Sequence, residues 1–209
     1  FSVEASISNL PYAKAFTPSP VIEEACPSSS YVTYKFRPSD LNDSEVKMIW
    51  MDGGIRPSHP DIITDKEDIG DNGVLMVGEN GIIWSDNYGI NARLYINGQD
   101  GVVEKGKISE INSVEFGHQS YWIDAVKDGY GSDKHRNLTS NFDFAGPLSE
   151  VVLLGNVAIR SSLLKRSARS NVFIGKKQLM YDSNKMMITN LDQANQFLTR
   201  EYREGWEIS

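Results

Sequence analysis

The chain has 209 residues, 40% hydrophobic and 23% charged, with a formal charge of -7 and a pI near 5.0. That composition supports a folded core and excludes a disordered chain. The acidic balance argues against nucleic acid or an anionic membrane surface as the main partner. Cys26 is the only cysteine, which excludes an intramolecular disulfide and a thiolate metal cluster within one chain. No uninterrupted run of 18 apolar residues occurs, so no membrane span is expected. The chain opens at Phe1, without Met, inside an alternating pattern, which is the expectation for a fragment or a processed chain.

The first half reads as strands. Phe1–Ser8 alternates, Ser30–Arg37 is rich in β-branched and aromatic residues, and Glu45–Met51 alternates Val46, Met48 and Trp50. Gly73–Val77 and Gly81–Ser85 flank Gly78-Glu79-Asn80-Gly81, a hairpin signal, and Ala92–Ile96 follows. Turn-joined strands favour antiparallel pairing. Two loops interrupt the series: Tyr12–Ser30, with three prolines, and Gly53–Gly70, followed at once by Asp71. The length of the second predicts a functional or mobile segment.

The second half reads as helix. Ser120–Lys127 has helical spacing, and Pro147–Leu164 shows a broad apolar face with Pro147 in its first turn. Ser161–Ser170 is basic and serine-rich and reads as a loop. Phe173–Tyr181 and Met186–Thr189 read as short strands, and Leu191–Arg203 as a helix capped by Asn190. Strands first and helices second is an α+β order.

Sites of known chemistry are scarce. There is no G-x-G-x-x-G, no G-x-x-x-x-G-K-[ST], no H-E-x-x-H and no G-x-S-x-G. Asp52, His59 and Asp61 offer a nitrogen and two oxygens, but a solvated loop with turn-forming Asp explains them as well, and the acids from Asp61 to Asp71 fit no EF-hand. No metal site and no catalytic residue is assigned. Trp50-Met51-Asp52-Gly53-Gly54-Ile55-Arg56 combines an aromatic face, a carboxylate and a guanidinium, the groups that hold a polyol or sugar acid; a tight turn with an exposed Arg is the alternative. Tyr88, Asn91 and Arg93, which precede or enter a strand, form a similar cluster, for which a turn into an edge strand is the alternative. Trp122 and Trp206 read as packing residues.

Several segments in order resemble the C-terminal portion of the Gfo/Idh/MocA family of oxidoreductases, in a bacterial subset of dehydrogenases. They are Ser2-Val3-Glu4-Ala5, Trp50-x-Asp52-Gly53-Gly54-x-x-Pro57, Gly70-Asp71-Asn72-Gly73-Val74, the run from Ser140 to Glu150 followed by Leu154–Arg160, and Arg200-Glu201-Tyr202-Arg203-x-Gly205-Trp206. The resemblance implies an open, largely antiparallel sheet with helices packed on one face, as one domain spanning 1–209. One sheet face would meet substrate and the nicotinamide side, and the sheet would also form the contact of a homo-oligomer. It implies NAD or NADP held by an N-terminal Rossmann domain outside these residues, with no cofactor bound to this chain itself. The substrate would be a sugar, inositol or related polyol.

The family's Glu-Lys-Pro motif is absent, since Glu104-Lys105-Gly106 lacks the proline, and its catalytic Asp/His helix would precede Phe1. The chain alone is therefore expected to be inactive. Residues 156–181 are also longer and more basic than the subset's pattern. Trp50, Asp52, Arg56, Tyr88 and Arg93 are the substrate-facing candidates. Asn141 and Asp143 are candidates for the cofactor side, because they open the helix after the sheet, where a carboxylate suits the positive end of the dipole. Two alternatives stay open: a carbohydrate-binding or oligomerising module without enzymatic activity, and part of an NAD-dependent glycosidase of the same family. The compartment, cytoplasmic or periplasmic, is left open.

Overall fold

The computed structural model describes residues 1–8, 26–40, 42–106, 117–170 and 172–206. Most of the Tyr12–Ser30 loop lies outside the described residues. In chain order the elements are strands β1 (Ser2–Ile7), β2 (Ser30–Phe36), β3 (Val46–Met51), β4 (Gly73–Val77), β5 (Gly81–Asp86), β6 (Arg93–Ile96) and β7 (Glu104–Lys105). Helices α1 (Gly117–Asp128), α2 (Asp133–Arg136) and α3 (Phe142–Ser161) follow, then strands β8 (Leu179–Asp182) and β9 (Met187–Ile188). Single 3-10 turns lie at Asn87–Gly89 and Asp192–Phe197. The chain is α+β, as its order of elements predicts. Its strands form two antiparallel sheets where one was expected, and the chain divides into two compact units: Phe1–Ile55 with Gly146–Ser209, and Arg56–Ala145.

The first unit holds the sheet β3-β2-β1-β8-β9, in which every neighbouring pair is antiparallel. Alternation along each strand puts Val3, Ala5, Val32, Tyr34, Leu179 and Tyr181 on one face, where they bury against Leu154, Val157 and Ala158 of α3. The register aligns Val3 with Tyr34 and Met48, and Ala5 with Val32 and Trp50. The apolar face therefore continues onto β3, yet Met48 and Trp50 on this edge strand are 38% and 61% exposed. On the reverse face Tyr31, Thr33, Lys35, Ile49 and Met51 are only part-buried, and Glu4 and Ser6 are exposed.

The helix seats closely because position 155 has no side chain. A Cβ on Gly155 would lie 2.4 Å from the Tyr34 hydroxyl oxygen. Beside it, Tyr181 donates its hydroxyl to Glu150 Oε1 at 2.5 Å, which fixes α3 to β8.

α3 starts five residues before the expected boundary at Pro147. Asn141 is the reason: its Oδ1 accepts the Phe144 N–H at 2.9 Å, while its Nδ2 donates to the carbonyls of Leu138 at 2.6 Å and His135 at 3.0 Å. Pro147 then falls inside the helix, preceded by Gly146, which has no Cβ to crowd the proline ring. By length and composition alone α3 is apolar enough to cross a membrane, and 22% of that apolar window is buried. Leu154, Gly155, Val157, Ala158 and Ser161 are buried, whereas Leu148, Val152 and Leu153 are 53%, 60% and 60% exposed.

The expected helix over 191–203 is only the 3-10 turn Asp192–Phe197. Asn190, read as its cap, spends its side chain on the sheet, accepting from Met180 N–H and donating to the Gln178 carbonyl, both at 2.9 Å. Asn195 is tied to the backbone of Ile188 through both amide atoms, at 2.7 and 3.0 Å. Leu191 and Ala194 still point inward. Of the expected strand Phe173–Tyr181, only Leu179–Tyr181 pairs in the sheet.

The second unit holds the meander β4-β5-β6-β7, with its hairpin closed by a Gly78 N–H to Gly81 carbonyl bond of 2.9 Å. Its core is Ile63, Ile69, Trp84 and Tyr95. Within the loop Gly53–Gly70, Ile63 and Ile69 supply two of those four residues. The opposite face is apolar and open, with Val74 48%, Met76 58% and Ile83 42% exposed. Trp122 and Trp206, expected to pack, are 55% and 66% exposed.

The Gly155 contact has a direct test. Gly155→Ala gains roughly 1 kcal/mol of helix propensity but overpacks Tyr34, which costs about 1–3 kcal/mol. A net loss is expected in urea unfolding, and Tyr34→Phe in the same chain should recover most of it.

Candidate functional site

The strand β3 and the turn after it carry the first cluster. β2 and β3 pair in register from Phe36↔Val46 to Tyr31↔Met51, so Asp52 leaves the sheet beside Ser30. There its carboxylate accepts three hydrogen bonds: the Ser30 N–H at 2.6 Å, the Ser30 hydroxyl at 2.7 Å and the Trp50 indole N–H at 3.0 Å. Gly53 follows with φ of +64°, and a Cβ there would lie 2.0 Å from the Ser28 carbonyl oxygen, so the turn admits only glycine. Burial raises the Asp52 pKa, but the bonds from Ser30 and Trp50 outweigh it and hold the carboxyl below the ordinary carboxylate range. Asp52 is thus a clamp that closes the β2–β3 edge and fixes Trp50, whose ring stays exposed. Of the five substrate-facing candidates, Trp50 and Asp52 are in direct contact.

Arg56, Tyr88 and Arg93 belong to the second unit. Arg56 pairs with Asp68 at 2.7 Å and Asp71 at 3.5 Å. The hydrogen bond to Asp68 is the main cause of its raised pKa and of the lowered pKa of Asp68. Tyr88 is 86% exposed, with a left-handed backbone (φ 61°), in the turn that Asn91 braces by donating to Asp86 at 2.7 Å. The Arg93 guanidinium carbon lies 3.9 Å from the centre of the Trp84 ring, on the core side of the sheet. Asn141 and Asp143 open α3 as the sequence suggests, and the Asn141 amide is fully engaged in capping.

Two phenol–carboxylate pairs escaped the sequence reading. Tyr95 donates to Glu67 Oε2 at 2.6 Å; burial, then this bond, pushes its pKa up to about 12. Tyr181 and Glu150 repeat the arrangement in the first unit, again with a raised tyrosine pKa caused first by burial. The partners stand 28 and 31 residues apart, so no local spacing announces them. His59 is spent on the Glu67 carbonyl at 2.9 Å. Among the described residues no three His, Cys, Asp or Glu gather to hold a metal. A shallow apolar groove beside the β4–β5 hairpin is lined by Met76, Ile83, Leu94 and Ile96.

The first cluster thus offers a fixed aromatic face for binding, with its carboxylate already filled. No family model matches the chain, and no curated protein matches it.

The Asp52 clamp makes a signed prediction. A carboxyl whose folded pKa lies below its unfolded value stabilises the fold above about pH 4 and loses that contribution as pH falls through the folded pKa. Stability curves of wild type and Asp52→Asn, measured by urea unfolding between about pH 7 and pH 2, should converge at the acid end, with the variant flatter below about pH 4.

Proposed function

We propose that this chain is the substrate-binding and oligomerising domain of an NAD(P)-dependent dehydrogenase of the Gfo/Idh/MocA type, acting on a sugar, inositol or related polyol. The dinucleotide would be held outside these residues, and the domain alone would be inactive. The observation that carries the reading is the sheet of the first unit: α3 packs one face, while the reverse face and the β3 edge remain accessible. Trp50 stands on that edge with its indole N–H held by Asp52 and its ring exposed. A fixed, exposed indole can stack on the C–H face of a sugar ring at little entropic cost. The same feature serves the alternative of a carbohydrate-binding module without its own chemistry.

The reading is tested by fluorescence titration of the chain with a panel of polyols and sugars. A ligand that perturbs tryptophan emission should bind at least about tenfold more weakly to Trp50→Ala, a loss of about 1.4 kcal/mol. Circular dichroism should be unchanged, because Trp50 is exposed. Equal binding by both proteins would remove Trp50 from the site.

A further inference from the structure

The strongest unassigned feature is a segregation of charge. Residues 151–181 hold six of the chain's 21 Lys and Arg (Arg160, Lys165, Arg166, Arg169, Lys176, Lys177) and none of its 28 Asp and Glu, so the remainder of the chain is left at -13. The segment is built, not frayed. Lys165 bridges Phe173, Arg166 N–H donates to the Val172 carbonyl at 2.9 Å, and Ile174 N–H donates to the Leu164 carbonyl at 2.9 Å. Two ammonium groups lie over the Phe173 ring, Lys165 Nζ at 5.8 Å and Lys176 Nζ at 4.4 Å from its centre. Arg160 is spent on the Phe197 ring and Lys177 on the Asn190 carbonyl. Lys165, Arg166, Arg169 and Lys176 are exposed, and among the described residues none has a carboxylate partner.

The complement is present in the same sequence. The second unit carries 15 Asp and Glu against 8 Lys and Arg. Asp61, Asp65, Asp100 and Glu104 are exposed there, with no cation partner among the described residues. Asp61 and Asp65 flank Ile62 and Ile63, and Asp100 precedes Val102; all three apolar residues pack on one core, so the acids border the same side of the sheet.

We propose that Lys165, Arg166, Arg169 and Lys176 form a docking surface for the acidic loops around Asp61, Asp65 and Asp100 of a second copy of this chain. Each copy brings both halves of the contact, and opposite patches on different parts of one molecule give a heterologous, head-to-tail association. Net charge does not choose the partner, because a second copy carries the same -7 that repels a nucleic acid or an anionic bilayer at long range; the local pairing of opposite patches does. A nucleic acid fits the patch less well. Phe173 is half-buried with ammonium groups over its ring, which leaves no free platform for base stacking. This proposal goes beyond the substrate-domain reading and does not depend on it.

Sedimentation velocity of the full chain at about 50 mM and about 500 mM salt tests it, since screening acts within that range. Association should weaken at least about tenfold at the higher salt. The variant K165E/R166E/R169E and the variant D61K/D65K should each lose it at low salt. An equimolar mixture of the two should regain it, because each charge reversal faces the other. Salt-independent association, or variants that associate like wild type, would overturn the proposal. So would failure of the mixture to recover, or a patch that binds a polynucleotide or anionic vesicles while copies stay apart.

Discussion

The close approach of Gly155 to Tyr34 governs the first unit. Because no Cβ stands between them, α3 lies directly on β2, and Leu154, Val157 and Ala158 reach the strand residues Val3, Val32 and Leu179. The Tyr181–Glu150 bond ties β8 to the same helix, and the sheet is left with one packed face and one accessible face. Since α3 covers β1, β2 and β8 but stops short of β3, the edge strand displays Met48 and Trp50 on an otherwise buried side.

The second unit solves the same problem by other means. Among the described residues no helix side chain joins its core. The segment 56–71 folds back instead, with Ile63 and Ile69 as its apolar contribution and the Arg56–Asp68, His59–Glu67 and Tyr95–Glu67 contacts holding it in place. Its acids thereby serve structure as well as charge: Glu67 and Asp68 have partners, whereas Asp61 and Asp65 are exposed with no cation partner among the described residues.

The strands were legible because alternation is local. β4 and the start of β5 follow from Gly78-Glu79-Asn80-Gly81, and β1, β2 and β3 from their side-chain pattern. The partition into two sheets was not legible, because it depends on which strands pair at long range, as β1 does with β8 across most of the chain. Asn141 was legible as part of the capping segment 140–143, but the helix starts at Phe142, earlier than Pro147 suggested; the C-terminal helix was misread because Asn190 serves the sheet. In the candidate site, Trp50 and Asp52 were found by residue type, but the role of Asp52 was hidden because its partner Ser30 lies 22 residues upstream. Arg56 was likewise grouped with Trp50 by sequence proximity, while its charge is met by Asp68 and Asp71.

The functional account rests on a division of labour, in which this chain binds a polyol and another part of the protein binds the dinucleotide. Calorimetric titration of the chain with NAD+, NADP+ and a panel of polyols and sugars tests that division most directly. The account predicts heat of binding from at least one polyol or sugar and none from either dinucleotide. Tight dinucleotide binding by these residues would contradict it.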